Sequence, residues 1–244
     1  MFNYIKFALY QIVSLSCYLP KLMKMNKLYN KDNHEEIFRF LNMHTRKSLN
    51  LVNIKLNILG RDKIPNTPVL FVVNHSSMLD SFILMSSVDR HIGCVIADEP
   101  IWRNMPIISD ILKAIKCVYI NRHNNRDGIK SISEASNNIL SGLSMAIFPE
   151  GDLTWVKDPN ALISDFRNGA LKIAYKAKCP IVPLVIKNSK GTYEGFQPIG
   201  KIHSTNVEVE FLDAIYNHIE NPKLKSKELG ETIKNSMIEK MEKL

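Results

Sequence analysis

The chain has 244 residues, 45% of them hydrophobic, with 10 Gly, 11 Pro and a formal net charge of +8, the proportions of one ordinary globular unit of α/β size that can bury a full core. Cys17, Cys94, Cys117 and Cys179 stand far apart, without Cys-x-x-Cys or His-rich spacing, which excludes a zinc or disulfide framework and fits a reducing compartment. The positive charge asks for an anionic neighbour such as lipid, nucleic acid or acidic substrates, yet the lysines are spread without a dense basic run, so a solvated lysine-rich surface explains much of the excess.

Residues 7–20 carry no charge, but the run is shorter than the ~18–20 apolar residues of a spanning helix. At about 100° per residue, Asn3, Lys6, Gln11, Ser14 and Lys21 gather on one stripe and Ile5, Ala8, Leu9, Ile12, Leu15, Leu19 and Leu22 cover the other side. That pattern predicts an interfacial helix, and Lys21, Lys24, Lys27 and Lys31 form a flank suited to anionic headgroups on the cytoplasmic side. Packing onto the chain's own core is the competing reading, and a signal peptide lacks its small-residue cleavage site. Asp32 with Glu35 marks a second helix start, and Ile37, Leu41, His44 and Ser48 trace one face of that helix. Residues 1–50 therefore form a helical hairpin ahead of a main domain spanning 51–244.

Periodicity then switches. Val52, Ile54, Leu56 and Ile58 alternate with polar residues up to Gly60, a half-exposed strand. Residues 69–73 are a short β-branched and aromatic run between Pro68 and Asn74, a buried strand that ends at His75. Ser76 or Ser77 can cap a helix whose first turn holds Asp80. A carboxylate there can fold back on the imidazole, fix its tautomer and leave the other ring nitrogen as a base. The same pattern also suits a polar strand end satisfied by local hydrogen bonds.

Downstream, strands over 92–97, 117–120, 143–148, 181–186 and 207–211 alternate with helical stretches over 100–114, 127–141, 168–178 and 225–244. This rhythm predicts an α/β fold with a mostly parallel sheet flanked by helices. Such folds place chemistry in the loops that follow strands. Besides His75, those loops hold Arg122, with Arg126 close behind, and the turn Phe148, Pro149, Glu150, Gly151. An Arg at a strand end offers a planar fork for phosphate or makes a surface ion pair. Glu150 can accept from substrate hydroxyls and the turn's amides can face an oxyanion, or the segment is an ordinary turn.

In order and spacing these segments resemble the glycerophospholipid acyltransferase family, best known for the 1-acylglycerol-3-phosphate acyltransferases. Its Asn-His-x-x-x-x-Asp block is similar to Asn74, His75 and Asp80, its strand-Arg block to residues 118–122, its Phe-Pro-Glu-Gly block to residues 148–151, and its strand with a central Pro to residues 181–185 around Pro183. The resemblance covers roughly residues 55–215. The third block continues Asp152, Leu153, Thr154, Trp155, without the Arg common in the family, and Arg167 is the candidate substitute; the second block has Asp98 and Glu99 where a Lys is common. Both departures bear on the acceptor.

The resemblance implies His75 and Asp80 as catalytic residues, and Asn74, Arg122, Phe148, Pro149, Glu150, Gly151 and Arg167 as substrate-binding residues. It implies transfer of a fatty acyl group from acyl-CoA or acyl carrier protein to the free hydroxyl of a lysophospholipid, 1-acylglycerol-3-phosphate foremost, giving phosphatidic acid. No metal or cofactor is implied, and the partners are membrane lipid and the thioester donor rather than nucleic acid, at the cytoplasmic face in a peripheral or monotopic position. The alternatives are another acceptor or a non-catalytic membrane-surface protein. A metallophosphoesterase needs further His/Asp clusters, and a serine hydrolase needs a Gly-x-Ser-x-Gly elbow; the sequence has neither.

Overall fold

The computed structural model describes residues 2–27, 31–104, 106–121, 125–167, 169–194 and 200–243. In chain order, helices α1 (Phe2–Lys27) and α2 (Lys31–Leu51) precede strand β1 (Ile54–Leu59), β2 (Leu70–Val73), α3 (Asp80–Ser87) and β3 (Ile92–Ala97). Helices α4 (Pro100–Asn104) and α5 (Pro106–Ala114), β4 (Val118–Ile120), α6 (Asn125–Leu140), β5 (Ser144–Ile147) and the single turn α7 (Thr154–Lys157) follow. The chain closes with α8 (Lys172–Ala177), β6 (Ile181–Lys187), a small hairpin β7 (Tyr193–Glu194) and β8 (Lys201–Ile202), β9 (Thr205–Phe211), α9 (Asn217–Glu220) and α10 (Ser226–Lys243).

Among the described residues the main sheet has the order β1-β9-β6-β2-β5-β3-β4. Every neighbouring pair is parallel except β6 with β9, the mostly parallel α/β sheet that the alternating pattern predicts. Strand residues point alternately to two faces, and each face is covered. Val69, Phe71 and Val73 join α2, α3 and α5 residues such as Ile37, Leu41, Ile83 and Ile111 in one cluster. Leu70 and Val72 meet Ala135 and Ile139 of α6, Ile173 of α8 and Ile233 of α10 in the other. Burial on both faces is why residues 69–73 read as a continuous apolar run rather than an alternating one.

Several element boundaries differ from the sequence reading, and one strand pair is new. A domain border at residue 50 falls inside α2, and Ile37, Phe38, Phe40, Leu41 and Leu49 belong to the sheet's own core, so α2 is not separable from the main domain. The helix expected over 168–178 is only α8, because Arg167 N–H donates to Pro149 C=O at 2.8 Å and ties the preceding segment to the β5 turn. The β7/β8 pair consists of two-residue strands, too short to leave a periodic trace.

Helix α1 packs Tyr4, Phe7, Leu15 and Tyr18 against the core, yet it leaves a second apolar face in the open. Its polar stripe faces the protein: Gln11 Nε2 donates to Ser48 Oγ at 2.9 Å, His44 contacts Gln11 Oε1 at 2.7 Å and Ser14 Oγ at 3.0 Å, and Asn3 Nδ2 donates to Ile202 C=O at 3.3 Å. Phe2, Ile5, Leu9, Ile12 and Val13 stand outward, between 43% and 70% exposed. No helix among the described residues is long and apolar enough to cross a membrane.

Burial in this seam pushes the His44 imidazole down from 6.5 to about 4. Its folded value lies below its unfolded one, so the unfolded chain binds the extra proton first and stability falls as pH drops from 6.5 toward 4. Acidification from pH 7 to pH 5 is expected to lower the melting temperature more in the native protein than in a His44→Gln variant, as calorimetry at the two pH values would read. An equal fall in both would show that His44 titration does not govern the α1/α2 seam.

Candidate active site

Strands β2, β5, β3 and β4 run parallel in register, with Val72 opposite Ile147, Ile147 opposite Val95 and Val95 opposite Val118. Their carboxyl ends therefore share one sheet edge, and the loops after β2 and β5 meet there. Asn74 ends β2 fully buried, its side chain donating to Ile186 C=O at 2.9 Å and accepting from Ile186 N–H at 2.8 Å. Both functions of the amide are occupied by β6, which corrects the substrate-binding expectation: Asn74 closes the sheet between β2 and β6 and aims the next residue.

That residue is His75, with a half-buried ring. Its Nδ1 lies 3.1 Å from Asp80 Oδ2, and the same carboxylate oxygen accepts from Ser76 and Ser77 N–H at 2.7 Å each. Asp80 is fully buried at the start of α3. Three donors converging on one oxygen hold both the loop and the carboxylate. Ser77 Oγ accepts from Leu79 N–H at 3.2 Å, but neither serine caps α3 as expected: the cap position is Leu79, without a side-chain cap bond. The Phe148 ring stacks on the imidazole with centroids 4.3 Å apart and 29° between planes, fixing the ring's remaining rotation. An imidazole with Nδ1 tied to a carboxylate and Nε2 left for a reactant is a general-base arrangement.

Glu150 departs from the expectation that it faces substrate. It is fully buried; Oε1 accepts from His75 N–H at 2.8 Å, and Oε2 accepts from the Thr154 hydroxyl, the Ser164 hydroxyl and Ser164 N–H at 2.7 Å each. Thr154 closes the circuit: its N–H donates to His75 C=O at 2.7 Å, and its hydroxyl shares its one proton between Glu150 Oε2 and that carbonyl, 2.9 Å away. Glu150 is thus a brace that locks the β5 turn to the backbone of His75. Thr154 and Ser164 escaped the sequence reading: Thr154 lies four residues on in a short turn, and nothing local marks a Ser fourteen residues away.

The amide of Gly151 donates to Phe148 C=O at 3.0 Å, so it is taken up within the turn and does not face an oxyanion. Gly151 has φ +77°, a conformation that favours glycine, and the Arg167 side chain passes directly over it. Arg167 is thereby held against the turn, exposed, with Pro149 C=O as its backbone partner. Beside it Lys157 Nζ donates to Glu150 C=O at 3.0 Å and Asp165 C=O at 2.7 Å, and burial followed by the Arg167 charge lowers its pKa. Arg122 lies outside the described residues, and Arg126 is exposed on the first turn of α6.

Fold and site together define an α/β enzyme with a His/Asp pair at the carboxyl edge of a parallel sheet. Comparison with known proteins agrees. The sequence profile of the acyltransferase family matches residues 55–187. The probable 1-acyl-sn-glycerol-3-phosphate acyltransferase of Mycoplasma pneumoniae is 31% identical over 230 residues, 87% of this chain and 83% of that protein, and its Mycoplasma genitalium counterpart of the same description is 30% identical over 77% of this chain and 68% of that protein. The crystal structure of the 1-acyl-sn-glycerophosphate acyltransferase of Thermotoga maritima shares the fold with a TM-score of 0.80 at 14% identity, over 100% of this chain and 96% of that one. The chain belongs to the acyltransferase family, and it is an O-acyltransferase.

Proposed function

We propose that the protein acylates the free hydroxyl of 1-acylglycerol-3-phosphate, using acyl-CoA or acyl carrier protein as thioester donor, to give phosphatidic acid. The observation that carries the reading is the His75–Asp80 pair at 3.1 Å, braced by Glu150 and stacked on Phe148; likeness to the two Mycoplasma proteins, both probable 1-acyl-sn-glycerol-3-phosphate acyltransferases, supports the acceptor. His75 Nε2 takes the proton of the acceptor hydroxyl while Asp80 stabilises the resulting imidazolium. The alkoxide attacks the thioester carbonyl carbon, the carbon–sulfur bond breaks, and the imidazolium returns its proton to the departing thiolate. No acyl-enzyme is required. Arg167 and Arg122 bind the acceptor phosphate, with Lys157 adding to the cationic field beside Gly151.

Mass spectrometry of products from the purified protein, offered each donor against 1-acylglycerol-3-phosphate and monoacylglycerol, tests this. Phosphatidic acid as the dominant product is the expected result; acylation of monoacylglycerol at an equal rate would remove the phosphate from the reading.

The outward apolar face of α1 supports a peripheral position on the membrane, with the side chains of Ile5, Leu9 and Ile12 entering the headgroup boundary. A Leu9→Ser, Ile12→Ser double variant is expected to keep its melting temperature, because both side chains are exposed, and to lose about tenfold in partitioning to phosphatidylglycerol vesicles, at ~1.4 kcal/mol per tenfold. Unchanged cosedimentation would mean that α1 does not dock.

A further inference from the structure

The face formed by α6 and α8 has no part in the chemistry above. Between these helices runs a shallow groove of about 370 Å3 lined by Ile129, Ile132, Lys172, Tyr175 and Lys176. Ile129 stands 68% exposed at its rim. On α6 it shares one stripe with Arg126, Lys130 and Ser133 by i, i+3, i+4 spacing, and Lys176 Nζ reaches across from α8 to Ser133 Oγ at 2.6 Å. Of the nearby acids, Asp127 is paired with Lys130 at 3.3 Å, Glu134 lies toward Lys116 and Glu228 toward Tyr175. What remains outward at the groove is Ile129, with Ile132 and Tyr175 along the groove and Lys172 and Lys176 at its rim; Leu140, 65% exposed, stands on the same face of α6 eleven residues on.

We infer that this face docks an acidic acyl carrier protein, with Ile129 as the apolar contact and Lys172 and Lys176 as the cationic rim; the inference rests on the thioester-dependent activity proposed above. Position is the first argument. Helix α6 starts at Asn125, just after β4 ends at the sheet edge that holds His75, and Ile129 is about 6 Å along the helix at ~1.5 Å per residue. Strand β4 stands three strands from β2, about 14 Å at ~4.8 Å per strand, a span that a carrier seated there crosses with its flexible thioester arm. Orientation is the second. Helix α1 packs on α2 and α5, on one face of the sheet, whereas α6 and α8 cover the other. With α1 on a membrane, the α6/α8 face turns toward water, where a soluble carrier arrives.

Chemistry is the third. A lipid surface is met by a dense row of exposed apolar side chains, as on α1, while a short apolar groove flanked by lysines suits an acidic amphipathic helix of a protein. A coenzyme A nucleotide needs enclosed donors around its phosphates rather than an open apolar rim.

The test uses the full-length protein with palmitoyl-acyl carrier protein and palmitoyl-CoA, 1-oleoylglycerol-3-phosphate as acceptor, and two variants, Ile129→Ser and Lys172→Glu/Lys176→Glu. All the changed side chains lie on the surface or at the groove rim, and calorimetry checks that the variants fold. KM for palmitoyl-acyl carrier protein is expected to rise about tenfold in each variant, with kcat and both palmitoyl-CoA constants within about twofold of the parent. Direct binding of the carrier, read by surface plasmon resonance without turnover, weakens in parallel. Equal losses with both donors would identify a nucleotide site instead, and a loss of vesicle binding would identify a lipid surface; either overturns the inference, as does no change or a parent protein that binds no carrier. Carrier binding that the variants weaken, without transfer from either donor, would sink the proposed activity and leave the docking face standing.

Discussion

A His75→Ala protein is expected to melt as the parent does and to transfer acyl groups about 10²- to 10⁴-fold more slowly, the usual worth of a positioned general base. The fold survives because the imidazole is only half-buried at a loop and Asp80 keeps two backbone N–H partners without it. The loss belongs in kcat, since the proton is moved only as the reaction proceeds. Asp80→Asn separates holding from chemistry: an amide oxygen still accepts from Ser76 and Ser77, while the charge that stabilises imidazolium is gone. Steady-state rates with saturating donor and acceptor read both variants. Near-parental transfer by a folded His75→Ala enzyme would assign the proton to another group.

Glu150→Ala tests whether the carboxylate is a brace or a substrate contact. Its removal strands His75 N–H, Ser164 N–H and the Ser164 hydroxyl in a buried pocket, where each unsatisfied donor costs about 1–3 kcal/mol, while the Thr154 hydroxyl turns to His75 C=O. A loss of about 3–4 kcal/mol is expected, near the upper end for single substitutions, and the melting temperature should fall by about 6–16 °C at ~2–4 °C per kcal/mol for a chain of this size. Transfer falls as well, because the backbone that aims His75 is freed. Glu150→Gln should be intermediate, since one end of the amide still accepts while the other cannot. A Glu that merely bound the acceptor would leave melting unchanged and raise the acceptor KM. Calorimetry beside kinetics distinguishes the two.

The positions of the candidate site residues were legible because strand ends interrupt apolar runs. His75 and Asp80 are close in sequence, and their contact is local, set by one turn between β2 and α3. The identity of Glu150 was legible too, but its role was not: its partners Thr154 and Ser164 reach it through folding of the 148–167 segment, and a buried carboxylate looks like an exposed one in a string of letters. Asn74 was misread for the same reason, since its partner Ile186 is 112 residues away.

Helix α1 shows the division most clearly. Periodicity sorts its side chains into a polar stripe and an apolar face, but a helix is symmetric to rotation about its axis until something packs against it. Tertiary contact made the choice, because Gln11 and Ser14 find His44 and Ser48 on α2 and leave Leu9 and Ile12 outside. By itself the sequence determined the strand and helix rhythm, the parallel character of the sheet and the His/Asp pair, all of which follow from local pattern and short-range spacing. Only the tertiary structure decided that α2 belongs to the core, which way α1 faces, and that Glu150 and Asn74 hold the site together from within, because burial and long-range hydrogen bonding are properties of neighbours in space.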